Sequence, residues 1–200
     1  TFTKDALDAS GDPVLAEVPL TFQTISTFTE NCIFQSAKKG LIILGEQGGY
    51  IYPDLAGEYS ASNPTESDGI NLEPLKVPYW HYNVLPSSAN KVQFSSLKPA
   101  LYYDENPQFS IEAQLSRYVE ERITSCLNNY QAFESQGFKV SSADGTREVK
   151  VTVGDETVNF LLEMPISASK AGAEHTMEKF YVKVPLRLKH FYEVASDIAG

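Results

Sequence analysis

The sequence has few of the residues that carry most enzyme chemistry. It contains two cysteines and three histidines in 200 residues. His81, His175 and His190 are far apart along the chain, so they do not form an H-E-x-x-H motif or a cysteine–histidine zinc spacing. The sequence also lacks a G-x-S-x-G nucleophile elbow and the glycine motifs of nucleotide-binding loops. It therefore predicts no catalytic residue, no metal ligand and no cofactor.

Basic residues are also scarce. There are 16 lysines and arginines against 26 aspartates and glutamates, a formal net charge of -10. A phosphate backbone would repel such a surface unless basic residues were concentrated in one patch. The densest positive stretch, Leu186–His190, is too short to form one. Nucleic acid is therefore excluded as a partner, and an anionic membrane surface is a poor one.

Long hydrophobic runs are missing as well. No segment approaches the roughly 20 apolar residues that span a bilayer, and none is typical of a secretory signal. We therefore expect membrane contact only through an anchor that lies outside this sequence. Hydrophobic residues nevertheless make up 42% of the chain, which is enough for a folded core.

The first half of the chain predicts a polar leading segment and then one long helix. Residues 1–18 are polar and predict a segment of low order, whereas residues 19–200 predict a single domain. Within that domain, apolar side chains recur at three-to-four spacing over residues 19–49, which is typical of an amphipathic helix. The glycines at 48 and 49 follow this helix, so they predict a C-cap rather than a phosphate-binding loop, which would precede a helix.

Residues 50–108 predict a long loop region rich in proline and aromatic residues. Seven of the eleven prolines lie here, and they prevent a long helix. Short extended pieces are expected at residues 75–84 and 91–97. We expect the aromatic side chains to hold this region against the core, because long structureless loops are rare in compact domains.

Residues 109–200 predict a second amphipathic helix, a β-meander and a terminal helix. Ser110 is the expected cap of the second helix, which should end at Gln136–Gly137. Alternating side chains predict three strands, at 148–153, 157–162 and 178–186, with a loop at 167–175. A final helix is expected at 191–198. The predicted class is α+β, with two long amphipathic helices packed on a three-stranded antiparallel sheet.

The two cysteines lie on the predicted apolar faces of the two long helices. Cys32 and Cys126 fit two alternatives. Free cysteine is often buried, so both could be reduced core thiols. A disulfide between the helices is the other alternative, and it would place the chain in an oxidising compartment outside the cytosol. The sequence pattern leaves both alternatives open.

Three stretches carry a resemblance to a known family. They are the cysteine helix ending in "GGYIYP", the segment "PYWHY", and the second cysteine helix ending in "QGF". The chain resembles a family of uncharacterised archaeal proteins that begin with a membrane-spanning, pilin-like segment followed by an extracytoplasmic region. The resemblance implies a membrane-anchored protein at the cell surface with its two cysteines bridged. It implies no reaction.

Five aromatic residues are the candidate binding residues: Tyr50, Tyr52, Tyr79, Trp80 and Tyr82. Tyrosine and tryptophan suit stacking on sugars or contact with a protein partner. The alternative is that these rings lock the proline-rich region onto the helices.

The favoured function is a structural or interaction protein of the archaeal cell envelope, not an enzyme. Its partners would be other envelope proteins or copies of itself, as in a surface assembly or filament. A glycan- or peptide-binding surface module is the second hypothesis, and a hydrolase is the third.

Overall fold

The computed structural model describes residues 12–60, 62–63, 67–84, 93–142 and 147–199. The expected α+β class is confirmed. The helices are α1 (Gln23–Glu46), α2 (Ile111–Leu127), α3 (Gln131–Glu134) and α4 (Leu188–Ala199). The strands are β1 (Gly69–Leu72), β2 (Leu75–Pro78), β3 (Tyr82–Val84), β4 (Gln93–Ser95), β5 (Lys139–Ser142), β6 (Glu148–Val153), β7 (Thr157–Lys170) and β8 (Ala173–Pro185).

Helix α1 forms and ends as the sequence predicts. Pro19 precedes a 3-10 turn, Leu20–Phe22, which leads directly into α1. Gly48 and Gly49 both have positive φ, and Gly49 N–H donates to the Leu44 carbonyl at 2.8 Å. This pairing satisfies one of the carbonyls that a helix end leaves open. The glycines are therefore a C-cap, as predicted.

Helix α2 begins as predicted but ends early. The Ser110 hydroxyl accepts from Ala113 N–H at 3.2 Å, which caps the helix. The expected continuation to Gln136–Gly137 is wrong, because α2 ends at Leu127 and three left-handed residues follow, Asn128, Asn129 and Tyr130. Asparagine tolerates this conformation. Tyr130 is held in it by the core, where its hydroxyl pairs with Thr29 Oγ1 at 2.9 Å.

The large sheet has four strands, so the predicted three-stranded sheet is wrong. Strand β7 is central and antiparallel to all its neighbours. Strand β8 lies along one edge of β7, while β6 and β5 lie one after the other along the other edge. Strand β5 was missed because its sequence, KVSS, is short and mostly polar.

The expected loop at 167–175 is also wrong. Strands β7 and β8 continue through it to a tight turn at Ala171 and Gly172, both of which have positive φ. Small polar residues such as Ser167 and Thr176 interrupt the alternating hydrophobic pattern, so the sequence does not indicate strands in this part of the hairpin. They are held in the sheet because their backbones pair directly with each other across β7 and β8.

The core lies between α1, α2 and one face of this sheet. Paired rows across the sheet supply its floor: Val149 opposite Leu162 opposite Phe180, and Val151 opposite Phe160 opposite Val182. All of these side chains are buried. On the opposite face, Glu163 forms ion pairs with Lys150 and Lys179 at 3.0 Å and 3.2 Å.

The described part of the leading segment lies against β8. Asp12 accepts from the Tyr181 hydroxyl at 2.9 Å and pairs with Lys183 Nζ at 2.5 Å. The Lys183 ammonium lowers the pKa of the Asp12 carboxyl. The expected low order of residues 1–11 concerns positions outside the described residues.

The proline-rich region at 50–108 contains two hairpins, which corrects the expected long loop. The extended pieces expected at 75–84 and 91–97 are confirmed, since β2, β3 and β4 lie within them. Strand β1 pairs with β2, and β3 pairs with β4, both antiparallel. Strand β1 was not predicted, because its four residues are too few to give a clear alternating pattern. At the other end of the chain, α4 begins at Leu188, three residues before the predicted start.

Helices α1 and α2 approach closely at Gly40, and this contact yields a matched pair of variants. A Cβ at Gly40 would lie 2.9 Å from Tyr118 Cδ1 and 3.3 Å from Leu115 Cδ2, whereas a Cβ at Gly45 would have no neighbour within 4 Å. We expect Gly45→Ala to raise the free energy of unfolding by about 0.5–1 kcal/mol through helix propensity.

Gly40→Ala should lower the free energy of unfolding by about 1 kcal/mol, because the clash outweighs the same gain in helix propensity. Urea unfolding of both variants measures the two effects. Equal stabilisation by both substitutions would contradict the close packing of the helices.

Candidate functional site

The two cysteines are joined. The sulfur atoms of Cys32 and Cys126 lie 2.06 Å apart, which decides between the two alternatives in favour of a disulfide between α1 and α2. Cys32 is buried as expected, but Cys126 is exposed and does not lie on the buried face of its helix. That face is formed by neighbours such as Ile123 and Leu127. A disulfide persists in an oxidising environment, so the bridge is a weak indication of an extracytoplasmic location.

Tyr50 and Tyr52 follow the α1 C-cap and bind back to the body of the protein. Tyr50 is buried, and its hydroxyl donates to the Leu97 carbonyl at 2.9 Å. The Tyr52 hydroxyl donates to Glu121 Oε2 at 3.0 Å. The guanidinium of Arg117 lies 3.9 Å from the centre of the Tyr52 ring. Burial raises the pKa of both tyrosines. These two rings fasten the chain to α2 and to the loop after β4.

Trp80 is fastened in the same way. Its indole N–H donates to the Gly48 carbonyl at 2.8 Å, so it completes the C-cap of α1. Its ring lies 5.4 Å from that of Tyr192 in α4, and the Tyr192 hydroxyl donates to the Pro99 carbonyl at 2.9 Å. Trp80 therefore ties both the α1 terminus and α4 to the hairpin region.

Tyr79 and Tyr82 differ from the other three predicted binding residues. Tyr79 is 38% exposed and Tyr82 is half-buried, and their ring centres lie 6.3 Å apart. The five residues thus do not form one site. Tyr50, Tyr52 and Trp80 hold the proline-rich region in place, whereas Tyr79 and Tyr82 present ring surface to solvent.

Other apolar side chains on the two hairpins are also exposed. Ile70 and Leu72 lie two residues apart on β1, so they project from the same face. On β4, Phe94 is 57% exposed and stacks on His81, with 4.9 Å between ring centres. We define the hairpin surface by its exposed or half-exposed members: Ile70, Leu72, Tyr79, His81, Tyr82 and Phe94. Ile70, Leu72, His81 and Phe94 were not among the candidate binding residues, because strands of three or four residues give too little alternation to show which side chains are exposed.

The hairpin surface also has open strand edges. Within the described residues, each hairpin is a two-stranded sheet and gains no third strand. An edge strand leaves backbone N–H and C=O groups that can pair with another extended chain. The surface therefore combines exposed apolar side chains with backbone groups available for pairing.

A buried glutamine holds the base of this region. Gln114 on α2 is 1% exposed, and its Oε1 accepts from Ile51 N–H at 2.8 Å. Its Nε2 donates to the Phe109 carbonyl at 3.0 Å. Because its amide is bonded on both sides, Gln114 fixes the chain on either side of the proline-rich region against α2.

A cleft of about 440 Å³ lies between α2 and β6, and its carboxylates serve the backbone. Glu112, Ser116 and Glu120 are spaced four residues apart and face the edge of β6. Glu120 accepts from Val149 N–H at 2.7 Å, and Ser116 donates to the Val149 carbonyl at 2.5 Å. These three side chains therefore lie along the outer edge of the large sheet and pair with its backbone groups.

Glu112 makes the most buried of these contacts. Its two oxygens accept from Tyr103 N–H and Val153 N–H, each at 2.8 Å. Burial raises the pKa of Glu112, and the two hydrogen bonds oppose that shift. Both oxygens are occupied by the backbone, so the arrangement favours a structural role over acid–base chemistry.

The described residues offer few sites for other chemistry. Across them, no three histidine, cysteine or carboxylate side chains cluster in a way that could hold a metal ion. Nor does any described helix combine the length and apolarity that a bilayer crossing requires. Comparisons of the chain with protein-family models, with curated proteins and with solved structures found no match.

The disulfide should contribute strongly to stability. It closes a separation of 94 residues, so the chain-entropy model assigns it about 4–5 kcal/mol. We expect Cys32→Ala/Cys126→Ala to lower the free energy of unfolding by about that amount in urea titrations. Reduced wild type is the control and should lose a similar amount.

Mass measurement after alkylation tests the bridge itself. Unreduced protein should take up no alkylating reagent under denaturing conditions, whereas reduced protein should take up two equivalents, one for each cysteine. Two reactive thiols in unreduced native protein would show that the bridge is absent.

Glu112→Gln should destabilise the fold at neutral pH. The substitution sets an amide NH₂ group against one of the two backbone N–H groups, which leaves that buried donor unpaired at a cost of about 1–3 kcal/mol. Glu121→Gln, on the exposed side of α2, is the control and should cost less than about 1 kcal/mol. Equal effects in urea unfolding would contradict the assigned role of Glu112.

Proposed function

We propose that this chain is an extracytoplasmic structural or interaction protein of the archaeal cell envelope, which contacts a protein partner through the hairpin surface. The observation that carries the proposal is the exposure of apolar and aromatic side chains on two hairpins, whose edges gain no further strand from the part of the chain that the structure describes. Soluble surfaces seldom collect such side chains without a binding role.

The hairpins suit an extended segment of another envelope protein. Such a segment would pair with a strand edge through backbone hydrogen bonds, while its side chains cover Leu72 or Phe94. Leu72 and Phe94 are each 57% exposed, so burying the rest of each side chain contributes about 1–2 kcal/mol. The protein would therefore act by binding its partner through a complementary surface and not by catalysis. Assembly into a surface filament is one possible result of such binding.

The rigid attachment of the hairpins supports this role. Trp80 is bonded to the α1 C-cap, and Tyr50 is bonded to Leu97, two residues after β4. A surface that is fixed in advance loses less conformational entropy when a partner binds. The disulfide and the family resemblance support the envelope location, since both point to an oxidising environment outside the cytosol.

A glycan-binding module is the second candidate function. The exposed pair Tyr79 and Tyr82 favours it, since sugar rings stack on exposed aromatic rings. Trp80 and Tyr50 cannot contribute without leaving their hydrogen bonds to the body. The two tyrosines supply a smaller surface than the whole set of hairpin residues, so contact with a protein is the better supported function.

Site-specific photo-crosslinking in the native host tests the proposed contact. A photoreactive amino acid replaces Leu72 or Phe94 in the full chain, and Lys38 on the exposed side of α1 is the matched control position. We expect one discrete protein adduct from Leu72 and Phe94 and none from Lys38, identified by mass spectrometry.

Three further results bear on the proposal. Adducts of equal yield at all three positions, or none at either hairpin position, would contradict the hairpin surface. Electron microscopy of native cell surfaces would separate ordered polymers from isolated molecules. Glycan binding that is lost in Tyr82→Ala but kept in Leu72→Ala would favour the second candidate instead.

A further inference from the structure

Helix α4 presents a second apolar surface that the proposed function does not use. Its inner side is held by Tyr192, which is bonded to Pro99, and by Lys189, whose Nζ lies 2.7 Å from Asp155 Oδ1. Its outer side exposes three large side chains: Phe191 at 57%, Val194 at 43% and Ile198 at 82%. Their spacing of three and four residues places them in one stripe.

We infer that this stripe is a self-association surface, on which α4 of a second copy of the chain packs in the antiparallel direction. A twofold axis near Val194 would place Phe191 of each copy against Ile198 of the other. Such an arrangement is isologous, because the same patch serves both copies. It covers all three exposed side chains at once.

The charges along the stripe fit a second copy in this direction. His190 and Asp197 lie on the same side of the stripe, seven residues or about 10.5 Å apart. In an antiparallel pair, His190 of each copy lies opposite Asp197 of the other. The interface therefore contains two symmetry-related contacts between an imidazole and a carboxylate. In a parallel pair, the flanks that carry these two residues would lie on opposite sides of the interface, so His190 and Asp197 would not meet.

The local charge also permits self-association. The whole chain has a formal charge of -10, which makes most of its surface repel a second copy. Residues 186–199, by contrast, carry two basic and two acidic residues, a formal charge of zero with His190 neutral. They include the densest positive stretch of the sequence, Leu186–His190. Helix α4 is therefore a part of the chain where copies can approach without strong repulsion.

The interface is small, so the dimer should be weak. One exposed stripe on a helix of twelve residues buries less than the roughly 1,200 Å² typical of stable complexes. We expect association in the range of about 0.1–1 mM. Such a weak contact becomes effective when copies are concentrated on a common surface.

Sedimentation equilibrium over a concentration series up to about 1 mM tests the inference. The mass of wild type should rise from 22.1 kDa towards twice that value. Ile198→Glu should weaken association at least about tenfold, because a charge replaces the apolar contact. Leu20→Glu is the matched control, since Leu20 is 83% exposed and lies outside α4, and it should associate like wild type.

A charge exchange tests the antiparallel direction. His190→Glu should weaken association about threefold, because carboxylates then face each other. Adding Asp197→Lys in the same chain should restore it. Far-UV circular dichroism and the absence of free thiols confirm that each variant is folded.

Three results would overturn the inference: a wild type that stays monomeric throughout, an Ile198→Glu variant that associates like wild type, or a double charge variant weaker than the single one. These measurements use purified protein alone. A failure of the hairpin crosslinking experiment therefore leaves them unaffected.

Discussion

The close packing of α1 against α2 is the constraint on which the rest of the structure depends. Gly40 lets the Tyr118 ring approach the α1 backbone, and the Cys32–Cys126 disulfide joins the two helices covalently. The sheet is attached to this helix pair through α2, where Glu112 and Glu120 accept from the backbone of β6. Removing the helix contact would therefore disturb the sheet as well as the helices.

The hairpin region depends on the same helix pair through single, specific hydrogen bonds. Trp80 binds the carbonyl of Gly48, and Gln114 binds Ile51 and Phe109. These contacts explain how a segment rich in proline keeps a defined position against the helices. Other apolar side chains of the segment, such as Leu72 and Phe94, are left at the surface. The hairpin region is therefore attached to the helix pair on one side and exposes apolar side chains on the other parts of its surface.

The two proposed contact surfaces differ in what they can bind. Among the described residues, the strand edges of the hairpin surface are open, so this surface suits an extended segment of another protein. The stripe on α4 lies on a helix, whose backbone groups are already paired with each other. It therefore offers only side chains for contact, and these suit packing against a second helix. Trp80 contacts Tyr192 and so joins the two regions. Both surfaces therefore keep a fixed relation to the disulfide-linked helices.

The sequence by itself determined the features that depend on neighbouring residues. The Ser110 cap, the glycine C-cap of α1 and the strand Glu148–Val153 all follow from short patterns, because capping and alternation act over a few residues. The tertiary structure alone decided the break after Leu127, where Tyr130 meets Thr29 from 101 positions away. It also decided that the two cysteines are bridged, and which aromatic rings are buried. Tyr50 and Tyr79 look alike in sequence, yet one binds the Leu97 carbonyl inside the fold and the other faces solvent. Whether a side chain is exposed depends on residues that are distant in the chain, and the local sequence pattern does not show which of them cover it.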